Sequence, residues 1–138
     1  MIKQLSIYSE NKKGTMMEIT RVLTNNGINI WGSVTNDSAE FGIIRMLVSD
    51  TEKALERLKE EGYLCHSDYV AAAEISDECG SLNGLLSAIS DGNINLDYLY
   101  VTYNTLSRLP VAILRAADLM EVEEFLRGRG YNILERID

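Results

Sequence analysis

At 138 residues the chain carries a formal net charge of −8, with 21 acidic side chains against 13 basic ones, and the basic residues are not gathered in sequence. Phosphate backbones would be repelled by such a chain, which argues against nucleic-acid binding. With 46% hydrophobic and 25% charged residues it has the balance of a folded domain, and no apolar run approaches the ~20 residues needed to cross a bilayer.

The first residues, Met1-Ile2-Lys3-Gln4, lack the charged start and apolar core of a signal peptide, so the expected location is cytoplasmic. Cys65 and Cys79 are few and not spaced like metal ligands, which suits a reducing compartment better than a disulfide framework, and with His66 as the single histidine a structural zinc site is not expected. No cofactor is expected.

Residues 2 to 9 alternate, with Leu5 and Ile7 on one face and Gln4 and Ser6 on the other, as in a half-buried strand. A polar stretch then ends at Gly14, and Thr15-Met16-Met17-Glu18 reads as a capping box opening a helix. Met16, Ile19, Val22 and Leu23 give that helix one apolar face, and Asn26-Gly27 supplies the left-handed residue that ends it. Residues 28 to 34 and 41 to 48 read as a hairpin around a polar turn at 36 to 40. Asp50 caps a second helix whose Ala54, Leu55 and Leu58 face inward before Gly62 closes it, and residues 63 to 67 form a fourth strand.

The same order then returns: a strand at 69 to 75, a helix at 82 to 90, strands at 94 to 103 and 111 to 115, a helix at 119 to 127 and a strand at 131 to 136. Pro110 stands where a strand begins and a missing donor is tolerated. Gly14, Thr15, Ile19 and Ile28-Asn29-Ile30 recur 66 residues later as Gly80, Ser81, Leu85 and Ile94-Asn95-Leu96, and Asp50, Leu58 and Gly62-Tyr63 recur 68 residues later as Asp118, Leu126 and Gly130-Tyr131. An internal repeat of this kind makes the chain two units of one plan. The expected domains are 1–68 and 69–138, each β-α-β-β-α-β, an α+β ferredoxin-like arrangement of an antiparallel sheet with two helices on one face. A unit of about 68 residues buries only about 60% of its unfolded surface, so the two are expected to share an interface, packed side by side. The second copy has Ala71 and Ala73 where the first has Leu5 and Ile7, so Tyr98, Tyr100, Tyr103 and Phe125 become candidates to fill its core.

The segment Glu10-Asn11-Lys12-Lys13-Gly14-Thr15-Met16, followed by Gly27-Ile28-Asn29-Ile30, resembles the ACT domain, the small amino-acid-binding regulatory module, and the resemblance covers both halves. It is greatest to stand-alone proteins built of two ACT domains. Lys13 and Cys79 stand where that family usually has proline, and Asn93 where the second copy would usually have glycine. The resemblance implies a ligand held between two domains by the first loop of one and the domain opposite. The first candidate site is then Asn11, Lys12, Lys13, Gly14, Thr15 and Met16 with Asn29 and Ile30; the second is Glu78, Cys79, Gly80, Ser81 and Leu82 with Asn95.

Such a loop suits an amino acid on physical grounds as well. A glycine lets the backbone come close, amides at a helix start favour a carboxylate, and an asparagine offers both donor and acceptor. Lys12 and Lys13 make the first loop the stronger anion site, whereas Asp77 and Glu78 oppose an anion at the second. Catalysis is not expected, because the sequence has no G-x-S-x-G elbow, phosphate-binding P-loop or H-E-x-x-H pair. The expectation is a small-molecule-binding regulatory protein that takes an amino acid and acts by allosteric change of domain or dimer arrangement, as a homodimer that can act on a partner enzyme. The alternative is an interaction subunit of an amino-acid biosynthetic enzyme that binds no ligand itself.

Overall fold

The structure, a computed structural model, describes residues 1–10, 12–37 and 41–137, and among these it forms seven strands and four helices. The chain divides into one unit of Lys3–Asp68 and another of Tyr69–Asp138 joined by Met1–Ile2.

In the first unit, β1 (Ile2–Glu10), α1 (Thr15–Asn25), β2 (Ile30–Asp37), β3 (Phe41–Val48) and α2 (Thr51–Glu60) lead into β4 (Leu64–Glu74). The strand order is β2-β3-β1-β4. Leu5 lies opposite Met46 and Ile7 opposite Ile44, so the alternation read from sequence puts four large side chains on one face. Ile19 and Leu23 of α1 and Ala54, Leu55 and Leu58 of α2 close over them, with Cys65 of β4 in the same buried cluster. Asp50 caps α2 as expected, its Oδ1 accepting from the Lys53 amide at 3.1 Å, and Gly62 follows at φ 88°.

The second unit repeats the plan with the end of β4, α3 (Ser81–Asp91), β5 (Leu96–Tyr103), β6 (Pro110–Ala116), α4 (Leu119–Gly128) and β7 (Asn132–Ile133), in the order β7-β4-β6-β5. Asp118 caps α4 as Asp50 caps α2, accepting from the Glu121 amide at 3.1 Å. This is the expected α+β plan.

Several boundaries differ from the sequence reading. The strands expected at 63–67 and 69–75 are one strand, β4, because nothing between them breaks an extended chain. The last strand is two residues long: after the Leu134 amide bonds to the Ala72 carbonyl at 2.8 Å, Glu135 turns to an ion pair with Arg127 at 3.2 Å. Strand β2 starts at Ile30, since the Ile28 amide is spent on the Leu23 carbonyl at the end of α1, and it runs to Asp37. The rest of the expected turn, 38 to 40, lies outside the described residues.

The core of the second unit is also filled differently. Pairing of β5 with β6 shifts register between Leu96 and Tyr98. A bulge there resets the alternation, so that Leu96 and Leu99 pack toward the helices while Tyr98 and Tyr100 take the opposite face. Tyr103 is exposed. Of the four expected residues only Phe125 packs against the cluster, whose bulk comes mainly from aliphatic side chains, among them Leu85, Ile89, Val122 and Leu126 of the helices and Leu114 of β6.

Phe125 makes a testable demand on Gly92. A Cβ added there would sit 2.7 Å from the ring, which Arg129 covers from 5.1 Å. Gly92→Ala is expected to cost about 1–2 kcal/mol by overpacking. In a Phe125→Leu background that cost should largely vanish, as chemical denaturation of the four members of the cycle would establish.

Candidate ligand-binding loops

Both predicted loops end in a glycine whose backbone only a residue without a Cβ adopts easily. Gly14 has φ 89°, ψ −6°, and Gly80 has φ 89°, ψ −3°. In each, the first helical amide folds back on the loop, Thr15 to the Lys12 carbonyl at 3.3 Å and Ser81 to the Glu78 carbonyl at 3.2 Å. In each, the glycine carbonyl accepts the first helical bond, from Glu18 at 3.0 Å and from Gly84 at 2.9 Å. The duplication therefore reaches the dihedral level.

This geometry overturns the expected capping box. Gly14 takes the cap position and Thr15 is already helical, so the Thr15 hydroxyl is not placed to cover the amides of the next turn, and the same holds for Gly80 and Ser81. Glu18 is used elsewhere: its Oε2 accepts the Tyr63 hydroxyl at 3.1 Å. Helix starts without a side-chain cap suit a bound carboxylate.

Lys12, Lys13, Gly14 and Met16 are exposed and Thr15 is half-buried; Asn11 lies outside the described residues. Lys12 pairs with Glu10 at 2.7 Å. The bond and charge of Lys12 hold the Glu10 carboxyl below its usual value, and Glu10 in turn raises the Lys12 ammonium. Lys12 thus adds no net charge to the loop, which corrects the expected doubling of positive charge. Among the described residues Lys13 has no ion pair and supplies the surplus. At the second loop Glu78, Cys79 and Gly80 are exposed, and Ser81 and Leu82 half-buried.

The asparagines are placed otherwise. Asn29 is exposed at the far end of α1, where its amide donates to Ser49 Oγ and its carbonyl accepts from the Ser49 amide, each at 2.9 Å, and Ile30 follows half-buried. Eleven helical residues, about 16 Å, separate that end from Gly14. Asn95 is exposed beyond α3, likewise one helix from Gly80. Within a unit the fold does not bring either asparagine to its own glycine loop.

Two depressions flank the first loop. One, of about 350 Å³, is lined by Tyr8, Thr15, Glu18, Gly62, Tyr63 and Leu64 together with the Glu10–Lys12 pair. The other, of about 110 Å³, includes Met16, Thr35, Gly42 and Ile44. Tyr8, Glu18 and Tyr63 were absent from the sequence-based site; the recurrence of Tyr63 as Tyr131 was a signal that could have marked it. Also unforeseen is a polar cluster on Glu74. Its Oε2 accepts from Ser107 Oγ at 2.6 Å and Asn104 Nδ2 at 3.1 Å, and its Oε1 from Asn132 Nδ2 at 3.1 Å. No group of three or more metal-ligating side chains occurs among the described residues, and no helix there is long and apolar enough to cross a membrane.

Two ferredoxin-like units, each opening its first helix with a left-handed glycine, make the chain a tandem of one small domain plan. The chain belongs to the ACT domain pair family, whose model matches residues 1–126. The solved protein BT0572 of Bacteroides thetaiotaomicron is 29% identical, with a TM-score of 0.88 over 96% of this chain and 91% of that one. The ligand-free regulatory subunit of aspartate kinase from Thermus thermophilus shares the fold at 13% identity and a TM-score of 0.70, covering 93% and 90% of the two chains. Its Thermus flavus counterpart does so at 12% identity and 0.61, covering 90% and 92%. No curated protein matches the sequence.

Proposed function

We propose that the chain is an amino-acid-binding regulatory protein of the cytoplasm, without catalysis of its own, whose ligand alters the arrangement of its domains or of a homodimer. The observation that carries this reading is the duplicated loop, in which a glycine at φ 89° opens an exposed helix start without a side-chain cap. Amides at the positive end of a helix take up a carboxylate without needing a cationic cage. Membership of the ACT domain pair family supports the reading, as does the shared fold of a kinase regulatory subunit. Strand β2 at the edge of the first unit's sheet and strand β5 at an edge of the second unit's offer pairing to a second copy. A ligand that prefers one arrangement over another shifts the population between them by its difference in affinity.

Gly14→Val tests the loop directly. Valine is a steric outlier at φ 89°, so the helix start must rearrange at a cost of about 1–3 kcal/mol. Calorimetric titration with each common amino acid should then find binding at the first loop abolished and Gly80→Val affecting only the second. A pair of variants that bind as the wild type does would remove the glycine loops from the account.

A further inference from the structure

The two copies act as controls for each other, and they differ at one corner. The second-copy equivalents of Tyr8 and Leu64 are Glu74 and Asn132, and these bond to one another at 3.1 Å. With Asn104 and Ser107 also on Glu74, both positions there are committed to tying β4 to β7 and to the β5–β6 loop. In the first copy the same corner is the cleft of about 350 Å³ between the start of α1, the end of α2 and the start of β4. Glu18 lines it, whereas its counterpart in the second copy is Gly84.

The charges in the cleft favour a cation. Glu10 and Lys12 cancel as an ion pair, so Glu18 sets the net sign. Arg21 and Glu61, in the groove that shares Glu18 and Tyr63 with the cleft, offset one another. Tyr63 engages one oxygen of Glu18 at 3.1 Å, which fixes the carboxylate and leaves it further acceptor capacity. Burial, the bond to Glu18 and the charges of Glu18 and Glu61 push the Tyr63 phenol up, so at neutral pH it remains a neutral donor.

We propose that this cleft is a ligand subsite present only in the first copy, where Glu18, held by Tyr63, receives the ammonium group of the bound amino acid. The assignment rests on the amino-acid-binding reading above and places its cationic end one helical turn beyond the glycine loop, where the Glu18 amide bonds to the Gly14 carbonyl at 3.0 Å.

The test is a titration of the full-length, 15N-labelled protein with each common amino acid, and with the N-acetyl form of any that binds. The amides of Glu18, Gly62, Tyr63 and Leu64 should shift, the N-acetyl form should fail to bind, and Glu18→Gln should weaken binding about tenfold, as expected for losing one charge-assisted hydrogen bond. Glu18 is exposed, so this isosteric change leaves the fold intact, and Tyr63→Phe should give a smaller loss in the same direction. An amino acid that binds Glu18→Gln and wild type equally, with shifts confined to residues 78–82, would overturn this assignment while leaving amino-acid binding in place. Shifts from no amino acid would overturn both.

Discussion

Leu114→Ala is expected to cost the second unit about 4 kcal/mol, toward the upper end of the 2–5 kcal/mol seen for leucine truncation in cores. The reason lies in its neighbours. On the helix-facing side of β4 and β6 the cluster otherwise draws on Ala71, Ala73, Ala112 and Ala116, and Leu114 stands directly opposite Ala71. Alanines have no side-chain freedom with which to fill a hole, so the cavity persists. Met46 holds the equivalent place in the first unit, opposite Leu5 and beside Ile7 and Ile44, whose longer side chains can relax into the space. Met46→Ala should therefore cost less. Amide hydrogen exchange of β6 in the one variant and β3 in the other reads each unit separately; a larger loss at Met46 would contradict the packing argument.

The second large effect is expected at Glu74. Alanine there leaves the donors of Ser107, Asn132 and the buried Asn104 without their acceptor, a loss of about 2–3 kcal/mol on the scale of a charge-assisted hydrogen-bond network. Asn104 also holds the loop itself, its Oδ1 accepting the Leu106 amide at 2.9 Å, so the β5–β6 connection should loosen with it. The Ser107 bond is the main reason the Glu74 carboxyl lies below its ordinary value of 4.5, with Asn132 and Asn104 acting in the same direction against partial burial. A depressed carboxyl stabilises the fold above its unfolded value, and that contribution is lost as pH falls through the folded value. Wild type should thus lose stability below about pH 4.5 more steeply than Glu74→Gln, which keeps an acceptor but cannot titrate. Parallel acid unfolding curves for the two proteins would rule out this role.

The plan of the fold was legible because it is written twice. Gly14 and Gly80, Asp50 and Asp118, and the paired helix-ending glycines repeat at fixed spacing, and each has a local physical job that survives without tertiary context. What failed depended on neighbours that sequence does not reveal. The register shift after Leu96 exchanged the inward face of β5, so Tyr98 and Tyr100, which share one face by alternation, were assigned to the wrong side. The capping box matched its spacing but lost to the glycine, which took the cap position one residue earlier. In the candidate site, the loop residues were readable as a motif, but the Tyr63–Glu18 bond joins positions 45 residues apart and no local pattern announces it. The asparagines were grouped with the loops through family resemblance, and a whole helix lies between them within each unit.

The most direct test of amino-acid binding is thermal unfolding of the purified protein in the presence of each common amino acid in turn. A ligand at a hundred times its dissociation constant adds about 2.7 kcal/mol to the folded state, a clear upward shift in Tm. The account predicts such a shift for one or a few amino acids, lost in the N-acetyl form of each. A melting temperature that no amino acid moves would contradict it and would favour an interaction subunit that binds a partner protein alone.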